Sequence, residues 1–258
     1  MRQLTVLDEV DSTNRYLGRL PPDQQHGHAV VADRQTQGQG RQGRNWHSPP
    51  GSNVYLSLGW AIAEPGAHLA RLPLAIAVFV ARAIEKTGVP RSGIKWPNDV
   101  QIEGRKVAGI LVELRPRQQG GSTAVIGVGV NVSMPADDAA DKVIGQNWTD
   151  LASHIPGSIA RGLRDQFCAL LLGELLSGLV RFTQQGFEAL ASDWAERDVL
   201  SGQWVTVFSQ NREFGGKVTG FSEQGGLLLE LQDESGSLQT REFFAGDVSI
   251  RPGSEPQS

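Results

Sequence analysis

Short β-rich stretches alternate along the chain with stretches of helical period and give way, toward its C-terminal end, to a run of short strands. Residues 4–10 (LTVLDEV) and 28–34 (HAVVADR) have β-rich character, and between them Asp11 or Ser12 is placed to cap a helix through Tyr16 and Leu17. The chain is expected to begin strand, helix, strand. The next nineteen residues, QTQGQGRQGRNWHSPPGSN, hold four glycines and two prolines and predict a loop, after which NVYLSLGW resumes as a strand. From Leu69 to Lys86 the pattern is helical and apolar nearly all round, which predicts a helix buried against a sheet, with Pro73 tolerated near its first turn. Strands are expected at 99–103, 106–115 and 123–133, the first two joined by a hairpin turn at Gly104, and a second helical block over about 159–195.

Beyond Val199 the texture changes to short strands, WVTVFS, GGKVTGF, GLLLEL and TREFF, separated by glycine-rich turns. This predicts a small β-barrel over 199–252, a boundary near Asp198, a preceding domain over 1–198, and a disordered tail over 253–258.

Composition changes this picture little. A chain of 258 residues is long enough to bury a real core, and its 31 glycines point to tight turns and close backbone approaches. Net charge is −4 with acids and bases interspersed, so no sequence-wide nucleic-acid footprint is present. The opening MRQLTVLDEV lacks a cationic stretch followed by an apolar core, and no uninterrupted apolar run approaches the roughly 18 residues that span a bilayer, so a cytoplasmic location is expected. The single cysteine, Cys168, excludes an internal disulfide and reads as a small buried hydrophobe. The five histidines show no metal-ligand spacing and there is no G-x-S-x-G elbow, which argues against zinc chemistry and triad hydrolysis.

Three stretches carry candidate chemistry. In GQGRQGRNW, Gly38 to Trp46, closely spaced glycines let backbone N–H groups converge on an anion, and Arg41 and Arg44 add permanent charge; a surface loop with solvated arginines would look similar. In KWPNDV, Lys95 to Val100, Pro97 fixes a turn that offers Asn98 and Asp99, and KVAGILVE follows, in which Lys106 opens an otherwise apolar strand. A solvated strand end is the alternative for that lysine. In VIGVGVNV, Gly127 and Gly129 leave room for something flat against the backbone, and Asn131 offers both a donor and an acceptor.

The ordered set DSTN, GQGRQGRNW, KWPND, KVAGILVE and GVGVNV, running from Asp11 to Val132, resembles the catalytic domain of biotin–protein ligases. The resemblance implies an α+β fold, a mixed sheet with flanking helices as in class II aminoacyl-tRNA synthetases, followed by an SH3-like β-barrel. It implies a biotin site formed by Ser12, Thr13, Asn14, Gln35, Gly38, Gly40, Arg41, Lys106 and Gly109. It implies an ATP and adenylate site formed by Arg41, Arg44, Trp46, Asn98, Asp99, Lys106, Ile110 and Asn131. Lys106 and Arg41 would be catalytic and Asp99 would support Mg²⁺. The implied reaction joins biotin and ATP into biotinyl-AMP and passes biotin to a lysine of a biotin carboxyl carrier protein, by a monomer or homodimer. Gln39 departs from the family's usual arginine. The motifs begin at Asp11, with no DNA-binding helix-turn-helix ahead of them, so neither a repressor role nor DNA binding is expected, and no membrane partner. A lipoate or octanoate ligase and a non-catalytic binding module are the competing readings.

Overall fold

The structure is a computed structural model that describes residues 1–63, 67–117, 120–135, 144–155, 162–209, 212–232, 237–245 and 248–253. Its first part runs β1 (Gln3–Val10), α1 (Thr13–Arg19), α2 (Pro22–Gln25), β2 (His28–Gln35), β3 (Val54–Ile62), α3 (Leu72–Glu85), β4 (Gly93–Lys95), β5 (Asp99–Ile102), β6 (Arg105–Pro116) and β7 (Ser122–Val130). These strands form one mixed sheet in the order β1-β2-β3-β7-β6-β5-β4, in which only β1 and β2 run parallel. The expected α+β class holds.

Side chains alternate across the two faces. On one face Leu56, Leu58, Ile126, Val128 and Ala108 point into the main core, which α3 fills with side chains buried on every side. Helix α4 (Leu163–Gln185) packs on α3 and β3 through Leu163, Phe167, Leu171, Leu175, Leu179 and Phe182, a 3–4 spacing that marks one helix face. It is the one described helix long and apolar enough to cross a membrane by length and composition, but here that stripe faces the core. On the other face of the sheet α1 is anchored by Leu17, fully buried against Val30 and Val125, a burial that contributes about 1.5–3 kcal/mol.

Several expectations are corrected. The helix expected from Leu69 begins at Leu72, after a 3-10 turn over Ala67–Arg71, with its proline in the first turn. The strand expected to reach 133 stops at Val130: the Asn131 N–H still reaches the Val107 carbonyl, but the Asn131 carbonyl turns to the Leu151 N–H and the Val132 N–H to the Asn53 side chain. Ser12 is the N-cap of α1 by position but its hydroxyl makes no cap bond, and the Asp11 carboxylate instead accepts from the Ser12 N–H at 2.8 Å and pairs with Arg19 at 2.6 Å. Residues 156–161, where the second helical block was expected to start, and most of the expected tail, 254–258, lie outside the described residues.

A short helix α5 (Ala191–Ala195) leads to β8 (Trp204–Ser209), β9 (Arg212–Phe221), β10 (Leu227–Gln232), β11 (Leu238–Phe243) and β12 (Val248–Pro252). These form a second, wholly antiparallel sheet in the order β11-β10-β9-β8-β12. Its inward residues Val205, Val207, Val218, Leu227 and Leu229 continue the main core, and Phe221 meets Phe187 and Trp194 edge-on at 5.5 and 5.3 Å.

Candidate active site

Strand register builds the floor of the site. Tyr55, Gly129, Gly109 and Asp99 form one row across β3, β7, β6 and β5, and Ser57, Gly127 and Leu111 form the row beside it. A Cβ added to Gly129 would stand 2.5 Å from Cε2 of Trp46, and one on Gly109 would stand 2.7 Å from Cζ3 of the same ring. The indole therefore lies on bare backbone. At Gly127 the same addition would meet the Asn14 amide at 2.4 Å. The flat groups for which the glycines leave room are thus, in this structure, the protein's own. Around this floor is a cavity of about 460 Å³.

The end of the cavity under α1 is a closed hydrogen-bond network. The Gln35 side-chain oxygen accepts the Thr13 backbone N–H at 2.9 Å. Ser57, fully buried on the floor, donates to Asn14 Oδ1 at 2.6 Å and lies 2.8 Å from Thr13 Oγ1. The Asn14 amide in turn donates to Glu113 at 2.8 Å, which fixes which way that amide points. The Ser12 side chain, unspent on capping, lines the cavity.

The opposite end is charged. Lys106 Nζ lies 2.7 Å from the Asp99 carboxylate and 5.3 Å from the centre of the Trp46 ring, where it meets the negative face. Arg41 donates to Asn98 Oδ1 at 3.2 Å, and Asn98 is itself locked to Ile110 by bonds in both directions, 2.8 and 3.0 Å. Burial pulls the Arg41 pKa below the usual arginine value, the Asp99 charge opposes that pull, and Arg44 adds to it. Arg41 Nη2 and Trp46 Nε1 are both buried without a partner, the condition of a site built to take an acceptor. Asn131 is buried and donates to the Thr149 carbonyl at 3.1 Å.

Of the residues expected in the site, Ser12, Thr13, Asn14, Gln35, Gly40, Arg41, Arg44, Trp46, Asn98, Asp99, Lys106, Gly109, Ile110 and Asn131 all line this one cavity. Gly38 does not line it. It lies at the base of the loop, where a Cβ would press on Ser48 and on the Trp46 carbonyl, both at 2.9 Å. Sequence reasoning missed Ser57, whose only signal is a hydroxyl alternating with Leu56 and Leu58 in a buried strand, and Tyr55 beside it. It also missed Ile144 to Trp148, drawn to the rim because the Lys106 N–H and carbonyl bond to Asn147 and Thr149. Cys168 lies outside the cavity lining, half-buried, and burial pushes its thiol pKa up, as expected of a packing residue.

With this geometry in hand, residues 6–131 match the Biotin/lipoate A/B protein ligase family and residues 200–251 match the Biotin protein ligase C terminal domain. Both sheets thus carry the signature of one class of ligase. The bifunctional ligase/repressor BirA of Escherichia coli (strain K12) is 34% identical over 251 residues, covering 96% of this chain and 74% of that protein. The biotin–[acetyl-CoA-carboxylase] ligase of Paracoccus denitrificans is 29% identical over 247 residues, covering 93% and 100%. Among solved structures, the biotin protein ligase from Aquifex aeolicus in complex with biotin and ATP superposes with a TM-score of 0.78 at 29% identity, over 98% of this chain and 100% of that one. The chain belongs to the biotin protein ligase family.

Proposed function

We propose that this chain is an ATP-dependent biotin–protein ligase, which forms biotinyl-5′-AMP with release of pyrophosphate and then transfers biotin to a lysine of an acceptor protein. The observation that carries the reading is the polarity of one cavity. A fixed set of uncharged donors and acceptors at one end suits a neutral, doubly hydrogen-bonding ring, and two cations at the other suit a carboxylate and phosphates. The Aquifex aeolicus relative solved with biotin and ATP supports the same pair of substrates.

A carboxylate does not acylate an amine at neutral pH without a better leaving group. The biotin carboxylate attacks the α-phosphorus of ATP, the bond to the pyrophosphate oxygen breaks, and a mixed anhydride remains. Negative charge crowds together in that step, and Lys106 and Arg41 offset it as fixed cations in a partly dehydrated cleft. Lys106 leaves Asp99 only for a stronger anion, so the ion pair holds the ammonium in place until substrate arrives. The uncharged amine of the acceptor lysine then attacks the anhydride carbonyl and AMP departs; the protein orients the partners and excludes water. Ser12, Thr13, Asn14 and Gln35 hold the ring, Gly38 and Gly40 give the loop its turns, Gly109 lets the ligand approach the backbone, and Arg44, Trp46, Asn98, Ile110 and Asn131 serve the nucleotide.

The donor set fits Mg²⁺ carried on the nucleotide rather than a resident metal. Asp99 is the one carboxylate among the described lining residues, and no group of three potential ligands occurs among the described residues. Asp99 would hold the ion together with phosphate oxygens, as is usual for Mg²⁺, and the ion would supply charge neutralisation there. We assign residues 1–198 to the catalytic unit and 199–252 to a C-terminal unit. The acceptor is the biotin carboxyl carrier domain of a carboxylase, and the location is cytoplasmic.

The test is pyrophosphate exchange into ATP by the purified chain with biotin, lipoate or octanoate supplied separately. Exchange with biotin alone is expected. Exchange with lipoate or octanoate instead moves the chain to the sister ligases, and none with any acid leaves a binding protein.

A further inference from the structure

Helix α1 has seven residues, and a helix that short does not persist in water on its own intrahelical bonds. The sheet beneath it supplies the missing hold. Glu113 and Arg115, two residues apart on β6, point to the same face of the sheet, the one that α1 covers. Glu113 accepts from the Asn14 amide in the first turn of the helix, and Arg115 Nη1 donates to the Gly18 carbonyl in its last turn, each at 2.8 Å. Between them Leu17 is buried against Val30 and Val125. A guanidinium at that end also meets the partial negative charge of the helix's terminal carbonyls. Gly18 makes the contact possible. A Cβ there would collide with Cζ, Nη1 and Nη2 of Arg115, so the guanidinium fills the space that a side chain at position 18 would take. The Gly18 carbonyl is its one hydrogen-bond partner among the described residues, and Arg115 Nε is buried without any. The other polar ties at this end of α1, Gln25 to the Leu20 carbonyl and Arg19 to Asp11, come from neighbouring chain and not from the sheet.

We propose that Arg115 is a positioning residue for the biotin end of the site: seated on Gly18, it fixes how α1 lies on β6 and so where Thr13 and Asn14 stand. This rests on the ligase reading above. Neither Arg115 nor Gly18 lines the cavity, so both act through the helix. Gly18 lies about one helical turn from Asn14, close enough for a shift at one to reach the other. The Lys106 end shares none of these contacts, being held by Asp99, Asn98 and Ile110. Unseating Arg115 therefore weakens biotin binding and spares ATP.

The experiment attacks the contact from its two sides in the full chain, with Arg115→Met, which keeps an apolar stem and removes the donors, and Gly18→Ala, which displaces the guanidinium. Alanine favours helix over glycine and the displaced group ends a flexible side chain, so Gly18→Ala should melt at or above the wild-type temperature. Expected in each variant is a Kd for biotin, measured by calorimetry without ATP, raised about fivefold, the scale of one net hydrogen bond, with the KM for ATP in biotin-dependent exchange unchanged within about twofold. The double variant should bind no more weakly than either single one, because both remove the same contact. Arg115→Lys, which keeps the charge and a donor, should fall between Arg115→Met and wild type. Should Arg115→Met not fold, Gly18→Ala decides. Unchanged biotin affinity, a KM for ATP that rises in step, losses that add in the double variant, or a Gly18→Ala chain that melts well below wild type would each overturn the positioning role. Wild-type protein without biotin-dependent exchange overturns the ligase reading and this proposal with it, whereas an active wild type with unaltered variants sinks the role of Arg115 alone.

Discussion

At the α1 end of the cavity Thr13, Asn14, Gln35 and Ser57 hold one another in a network that Glu113 closes from behind, whereas at the Lys106 end the charges hold each other across the space a ligand would enter. The first end is finished before anything binds. The second is provisional: Lys106 sits on Asp99, Trp46 covers the two floor glycines, and two buried nitrogens lack partners. Preorganised neutral groups suit recognition of a ring whose shape does not change during reaction. Exchangeable ion pairs suit a step in which charge appears and then departs.

This contrast is open to direct attack. Lys106→Ala removes the cation on which adenylation depends, and pyrophosphate exchange should fall ~10²–10³-fold; a mutant with near-normal exchange would remove Lys106 from the chemistry. Ser57→Ala strikes the finished end, leaving Asn14 Oδ1 buried and unpaired at a cost of about 1–3 kcal/mol, so calorimetry should show biotin affinity roughly tenfold weaker while the KM for ATP stays put. Equal losses for both ligands would mean the two ends are not separable. Arg41→Gly loosens the loop over the provisional end, and the purified variant should label bystander albumin severalfold more than wild type; equal labelling would show that the loop does not retain the adenylate. Glu113→Gln exchanges a charge-assisted bond to Asn14 for a neutral one and should weaken biotin binding only about two- to threefold. A larger drop would make Glu113 part of the recognition surface rather than its support.

The finished end was only half legible in the sequence. DSTN and Gln35 stand out as polar residues beside turns, but Ser57 reads as one position of a core strand, and only the packing of α1 over the sheet brings Asn14 to it. The provisional end was more legible, because arginines in a glycine-rich loop and a lysine opening an apolar strand violate the local pattern. Its rim at Ile144 to Trp148 was not, since no motif marks a segment recruited by backbone bonds to Lys106. The fold divides in the same way. Long periodic elements such as α3 and β6 announce themselves, whereas β4, three residues paired to Asp99–Gln101 and to the linker, has too little length to show a period. β12 was missed for the same reason: five residues ending in Pro252, it becomes a strand only by pairing with β8. The identity of the flat group over Gly109 and Gly129 also lay beyond the sequence, because an indole from a distant loop satisfies the spacing as well as a ligand does.

Trp46 on its glycine bed gives the molecule an optical handle. A ligand that reaches the floor must lie on the indole, beside it or in its place, and each arrangement changes the polarity the ring senses. With the other five tryptophans as a background, the difference in emission between the natural chain and one carrying Trp46→Phe would follow occupancy without label or coupled enzyme. Stopped-flow traces of that signal would then separate the arrival of biotin from the formation of the adenylate, two events that a turnover assay merges.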